Sequence, residues 1–229
     1  FAYALAQDGS ADEISLVDLN KELCQGQVLD LAHGLPYYPS GVDIYTGDES
    51  DYKDSHVIVV TAGAAQKQGE SRLNLLQKNA SIIEGIMDQI VAQGSRATVV
   101  IVTNPVDILT KIALERSGWP RGRVIGSGTV LDSSRFRYIL SEYFDVHAGN
   151  VHGYILGEHG DSEFAAWSMS NIAGVPLEDY SNQLGIKDWE NQKQNIEQQV
   201  RDSAYHIIDY KGATSFAVGK ALVQIVGAI

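Results

Sequence analysis

HVIVVTAG, residues 56–63, sets four β-branched aliphatic residues in a row, Val57 to Val60, and then drops into Thr61, Ala62 and Gly63. A run that is apolar on both faces reads as a strand covered by helices on both sides, which is the habit of parallel sheets. ATVVIVTNP, residues 97–105, repeats the pattern. Between them SRLNLLQKNASIIEGIMDQIVAQ, residues 71–93, spaces its leucines, isoleucines and Met87 by three and four, so it reads as a helix with one face on the sheet. Strand, helix, strand in this order is the repeating unit of a doubly wound α/β fold.

Working outward, ISLVDL (residues 14–19) and VDIYTG (residues 42–47) read as two more strands. Residues 1–128 are therefore expected to form a doubly wound parallel sheet of the Rossmann type. Past Gly128 the pattern changes. A helix is expected over Leu131–Phe144, then two antiparallel strands in VHGYILG (residues 151–157) and EFAAWSMSNI (residues 163–172). A long helix follows around Gln192–Asp209, and Thr214 opens a last helical segment. Residues 129–229 are thus expected to be a mixed α+β domain.

The ends of the sequence carry expectations of their own. Asp18 stands at the end of ISLVDL, where a dinucleotide-binding unit places the carboxylate for the adenosine ribose hydroxyls. Such a unit has a strand and a Gly-rich turn roughly 20 residues earlier. FAYALAQ, residues 1–7, reads as the helix that follows that turn, and KALVQIVGAI, residues 220–229, reads as stopping in mid-helix. Both ends read as incomplete. A chain limited to these 229 residues is expected to bind a dinucleotide poorly and to have a destabilised sheet.

Composition narrows the partners. A net charge of −12 without a block of lysines or arginines argues against nucleic acid or an anionic membrane. Cys24 is the sequence's one cysteine, so no intrachain disulfide framework forms, which suits a reducing compartment. Cys24 reads as a small helix filler. No apolar run reaches the ~18 residues of a membrane span, and nothing resembles a signal peptide. The expectation is a soluble, cytoplasmic protein.

Four segments carry polar chemistry where a loop or helix start is expected. LDSSRFR sets Asp132 and Arg135 three apart, on one side of a helix start. QGESR brings Arg72 onto a glycine-containing segment suited to a closing loop. TNP puts Asn104 at the end of a central strand, where open sheets bind ligands, although a helix cap after Pro105 is an alternative role. ILGEHGDSE, residues 155–163, places His159 between glycines and acids. A histidine paired with a carboxylate exchanges protons near neutral pH. One arginine can grip a carboxylate in two parallel bonds, and a second can stabilise charge developing on a carbonyl oxygen. With a dinucleotide as electron carrier, these parts suit reduction of a 2-oxo acid. No group of histidines and carboxylates has metal-ligand spacing, so no metal is expected.

VTAGAAQKQGESRLNLLQKN, VTNPVDILT, VIGSGTVLDSSRFR, GEHGDSE and KGATSFAVGKAL together resemble the lactate and malate dehydrogenase family, in its order and across essentially the whole chain. The resemblance implies NAD as cofactor, with Asp18, Thr61, Ala62, Gly63 and Asn104 beside it. It implies His159 as proton donor and acceptor, Asp132 as its orienting partner, Arg135 as the carboxylate clamp and Arg72 as the loop arginine. Asn104 and Thr214 then line the substrate pocket, and the glycines near His159 let backbone and substrate approach closely. The charge of Asp18 would repel the extra phosphate of NADP.

Gln66 bears on the substrate. Malate-type members carry an arginine there, which pairs with a second carboxylate. An unpaired buried carboxylate costs several kcal/mol, so a neutral Gln66 favours pyruvate and lactate over oxaloacetate. Ser127 also resembles lactate-type members, and the five segments together are most like bacterial members. Arg137 and His152 match the positions that bind fructose 1,6-bisphosphate across a subunit interface in many bacterial members. The implied protein is an allosteric homotetramer acting in glycolysis and pyruvate fermentation. The alternatives are a malate dehydrogenase and a non-catalytic nucleotide-binding relative, which would have no need of His159, Asp132, Arg135 and Arg72 together.

Overall fold

The four apolar runs of the first half form parallel strands in the computed structural model, which describes residues 1–64, 69 and 71–229. β1 (Glu13–Leu16) pairs with β2 (Asp43–Thr46), Ile14 opposite Ile44. β3 (Val57–Val60), β4 (Thr98–Ile101) and β5 (Val124–Gly126) form a second parallel ladder with β4 in the middle. The strands therefore make two ladders, and β3 lies at an edge of its own. Their burial follows: Val99, Val100 and Ile101 of β4 are each 0% exposed, whereas Val57 and Val59 of β3 are only half-buried.

The helices of this region are α1 (Ala2–Asp8), α2 (Lys21–Ala32), α3 (Arg72–Ala92) and α4 (Val106–Ser117). Asn20 caps α2 by accepting the Leu23 N–H at 3.0 Å, and Ser71 caps α3 through Asn74. α3 lays Ile83, Met87 and Ile90 on Val99 and Ile101, with Leu109 and Ala113 of α4 closing the same core. Fully burying one such side chain is worth about 1.5–3 kcal/mol. Cys24 packs as expected, buried in α2 with its thiol against the Leu16 carbonyl.

The chain divides into two compact units, Phe1–Ser127 with Leu222–Ile229, and Gly128–Ala221. In the second unit α5 (Val130–Phe144) forms the spine. The two antiparallel strands expected there are each broken into short pieces. β6 (Val151–His152) pairs with β9 (Asn171–Ile172), and β7 (Ile155–Leu156) pairs with β8 (Phe164–Ala165). Gly153 separates β6 from β7 at a point where a Cβ would fall 2.8 Å from the Phe136 ring. A 3-10 turn at Trp167–Met169 separates β8 from β9. β10 (Val175–Pro176) adds to β9 through a two-residue turn, Ala173 and Gly174, both at positive φ as such hairpins require.

α6 (Leu177–Gln183) and α7 (Trp189–Lys211) complete the second unit around Phe136, Leu140, Trp167 and Trp189. Trp167 meets Phe136 and Trp189 edge to face, at 5.0 Å and 5.6 Å between centroids. α8 (Phe216–Val226) follows the left-handed cap Gly212. One expectation is corrected here. Thr214 lies in the Gly212–Ser215 connection, two residues before α8 begins at Phe216.

Candidate active site

Asp132 sits one turn into α5 and is 1% exposed, an arrangement that a lone carboxylate would not survive without partners. It has two. Arg135 Nη1 donates to Oδ1 at 2.7 Å, and His159 Nδ1 lies 2.6 Å from Oδ2. The i,i+3 spacing on α5 puts Arg135 on the same side as Asp132. His159 comes from the loop after β7, and α5 holds that strand as well. Thr129 Oγ1 donates to the Ile155 carbonyl at 2.7 Å, while Ile155 N–H donates to Ser133 Oγ at 2.9 Å. Ser133 went unremarked in the sequence, because a serine in a helix carries no signal of a long-range bond.

The histidine keeps an exposed edge, with 24% of its side chain accessible. The short contact to a carboxylate fixes a proton on Nδ1, so Nε2 is the atom that gives or takes a proton outward. The bond to Asp132 holds its pKa above the usual 6.5, burial opposes this, and the charges of Asp132 and Glu163 add to the rise. The glycines around it serve the backbone. Gly157 and Gly160 have φ of 98° and 144°, and a Cβ on Gly160 would meet nothing within 4 Å. Their backbone conformation requires glycine there.

Glu163 was missed in the sequence. It closes the same loop, is 4% exposed, and its pKa is pushed up to about 7, first by burial and then by the charge of Asp132. Ligand atoms of Asp132, His159 and Glu163 lie within 4.8 Å of one another, a triad that sequence spacing did not suggest. Arg135 already neutralises Asp132, and the histidine presents its protonated nitrogen inward. Those two facts favour proton sharing over a cation at this point.

In the first unit, Thr61, Ala62 and Gly63 continue β3 and are exposed, while Asn104 follows β4. They are joined by two bridges. Asn79 of α3, 2% exposed, accepts the Ala64 N–H at 2.8 Å and donates to the Asn104 carbonyl at 3.1 Å. Thr103 Oγ1 donates to the Ala62 carbonyl at 2.7 Å. A Cβ on Gly63 would fall 2.5 Å from Thr103 Cγ2, so the loop passes too close for any side chain. Among the described residues the Asn104 side chain makes no cap; α4 begins after Pro105, the N-cap, without a side-chain cap. Asn79 had a legible signal, an amide at a face position of an apolar helix.

The remaining candidates are placed singly. Asp18 is exposed beyond β1 and accepts the Asn20 N–H at 2.7 Å, at the start of α2. An acid at that strand end fits a dinucleotide ribose, and a side-chain-free stretch at Gly63 fits a close phosphate. Arg72 is the exposed first residue of α3, not a loop residue. Thr214 is half-buried. Gln66 lies outside the described residues. Arg137 Nε donates to the Val151 carbonyl at 2.7 Å, which brings it beside exposed His152.

Comparison with known proteins gives a consistent result. Residues 1–126 match the family model described as lactate/malate dehydrogenase, NAD binding domain. Residues 129–229 match lactate/malate dehydrogenase, alpha/beta C-terminal domain. An L-lactate dehydrogenase of Treponema denticola is 59% identical over 230 residues, covering 100% of this chain and 73% of that protein. One from Thermoanaerobacter pseudethanolicus is 50% identical over 228 residues, with the same coverage of 100% and 73%. Among solved structures, a lactate dehydrogenase enzyme from a Medee basin deep-sea metagenome library superposes with a TM-score of 0.96 at 43% identity. The minor L-lactate dehydrogenase from Enterococcus mundtii superposes with a TM-score of 0.96 at 40% identity. Each match covers 100% of this chain and 72% of the other.

Proposed function

The chain belongs to the lactate/malate dehydrogenase family, and from that premise we propose that it is an NAD-dependent L-lactate dehydrogenase interconverting pyruvate and lactate. The observation that carries the reading is the Asp132, His159 and Arg135 cluster, in which one carboxylate orients a proton donor and a guanidinium side by side. Bound NAD would supply the hydride chemistry. In our reading residues 1–128 hold it, with Asp18, Thr61, Ala62, Gly63 and Asn104 as its contacts, and residues 129–229 carry the substrate chemistry.

His159 protonates the oxygen on the second carbon of pyruvate and, in reverse, removes the proton from lactate. Asp132 fixes the imidazole tautomer and stabilises the imidazolium. Arg135 has one nitrogen committed to Asp132, and its remaining N–H groups grip the substrate carboxylate. Arg72 polarises the carbonyl as charge develops, while Asn104 and Thr214 line the pocket. A neutral Gln66 favours a monocarboxylate, which speaks against the malate-type alternative.

Finer features belong to the same reading. The protein works in the cytoplasm, in glycolysis and pyruvate fermentation, as a homotetramer. No helix among the described residues is long and apolar enough to cross a membrane. Fructose 1,6-bisphosphate is an allosteric effector held by Arg137 and His152 with their symmetry mates, and it activates by favouring the active assembly.

The test is NADH consumption by the purified protein with pyruvate and with oxaloacetate, each with and without fructose 1,6-bisphosphate. Pyruvate preference that rises with the sugar phosphate is the expected outcome, and Arg137→Gln with His152→Ala should abolish the rise. Preference for oxaloacetate overturns the substrate assignment. No turnover with either points to the non-catalytic alternative.

A further inference from the structure

Among the described residues, two buried side-chain atoms have no hydrogen-bond partner: Glu163 Oε2 and Arg201 Nε. They are neighbours in the chain's bonding without neutralising each other. Arg201 Nη2 donates to the Glu163 main-chain carbonyl at 3.0 Å, and the Glu163 N–H donates to the Gly160 carbonyl at 3.1 Å. Both bonds fix the backbone and leave the carboxyl pointed into the protein. An acid kept in such a place, with an oxygen unsatisfied, has a reason other than packing.

The groups around it define that reason. α5 contributes Asp132 and Arg135, and these two are already paired. The loop after β7 contributes His159, while its acids Glu158 and Asp161 are exposed and bond to Ser162 and Tyr205. α7 contributes Glu197 and Arg201, which pair with each other at 3.3 Å, and Glu197 also takes the Trp167 indole N–H at 2.7 Å. The charge left to answer Glu163 is therefore the imidazolium of His159, with the Asp132 carboxylate as a hydrogen-bonding neighbour.

We propose that Glu163, packed within reach of the His159 imidazole that Asp132 orients, is a positioning residue that sets the pH range over which His159 keeps its proton. An acid and a base at this spacing release their protons in coupled steps that belong to the pair. When Glu163 ionises, its carboxylate is stabilised by the imidazolium beside it. His159 then holds its own proton against two negative charges rather than one. For pyruvate reduction this extends the alkaline range of the protonated enzyme; for lactate oxidation it delays the appearance of the free base. The kinetic consequence rests on the dehydrogenase reading, whereas the titration does not.

The decisive measurement is an NMR titration of the His159 imidazole in the purified protein without substrate or cofactor. The native protein should show two steps, with Glu163→Gln giving a single step at lower pH. A single ideal step in the native protein overturns the proposal without recourse to any variant. So does an unchanged midpoint in Glu163→Gln whose near-UV circular dichroism matches the native protein. In turnover, the ratio of kcat/KM for pyruvate at pH 9 to that at pH 6 should fall by about threefold or more in Glu163→Gln. A merely structural role would lower both values alike and leave the ratio unchanged. If the titration behaves as expected while pyruvate is not reduced, the substrate reading fails and the proton coupling stands.

Discussion

His159 Nδ1 lies 2.6 Å from Asp132 Oδ2, while Arg135 occupies the other oxygen of the same carboxylate at 2.7 Å. Asp132→Asn keeps the shape and removes the charge that both partners answer. The expected loss in kcat is about 10²–10⁴-fold, the range of a misoriented or unassisted general acid. Asp132 also raises the pKa of His159, so the alkaline limit of pyruvate reduction should move to lower pH in the variant. A pH series of kcat/KM checks both; an unshifted limit would mean that the 2.6 Å contact does not govern the imidazole.

Glu163 links the site to stability. Its folded pKa, about 7, stands above the unfolded value of 4.5, so the folded state binds its proton more tightly. That contribution is fully present below pH 4.5 and is lost as pH rises through about 7. His159 is likewise raised above 6.5, and its contribution fades above its own folded value. Glu163→Gln should therefore flatten the fall in stability between pH 6 and pH 9, by roughly 1–3 kcal/mol at the alkaline end. Urea denaturation at several pH values measures it, and parallel curves for both proteins would contradict it.

Much of this was legible in the residues because the signals were local. The strand of HVIVVTAG, the α3 face and the α5 pair Asp132 and Arg135 follow from spacing alone. The contacts that aim His159 were not legible. Ser133, Thr129 and Glu163 act across 22 to 31 residues of chain, counting from Ser133 to Ile155 and from Asp132 to Glu163, and their types occur everywhere on surfaces. The break of the expected long antiparallel strands was hidden for a related reason, since the Phe136 ring that excludes a Cβ at Gly153 comes from another element. Periodicity finds elements; tertiary packing decides which glycine or serine matters.

Gly160 carries a separate prediction. Its φ of 144° is open to glycine and strained for an L side chain, although the space around it is empty. Gly160→Ala should thus act through the backbone, costing about 1–3 kcal/mol of local strain. That strain loosens the His159 loop, so kcat should fall while binding of NADH, held by the other unit, stays within about twofold of native. Stopped-flow turnover and a fluorescence titration of NADH separate the two. Equal losses in both would place the effect in global stability.

Gly63 and Thr103 offer the cleanest test of the cofactor edge. A Cβ on Gly63 would sit 2.5 Å from Thr103 Cγ2, while Thr103 Oγ1 holds the Ala62 carbonyl at 2.7 Å. Gly63→Ala should destabilise the first unit and weaken NADH binding by about tenfold or more, since the loop must move or the threonine must turn. Thr103→Ser keeps the hydroxyl and deletes the offending methyl, and alone it should cost less than about 1.5 kcal/mol. Combined, the two should recover much of the lost affinity, a favourable coupling of about 0.5–3 kcal/mol in a double-mutant cycle. Asn79→Leu serves as the contrast. It leaves Ala64 N–H and the Asn104 carbonyl unpaired at about 1–3 kcal/mol, and Thr103→Ser should not rescue it, because no methyl is in the way. Rescue of both variants by the same serine would show that Thr103 merely loosens the loop, and the steric account of Gly63 would fall.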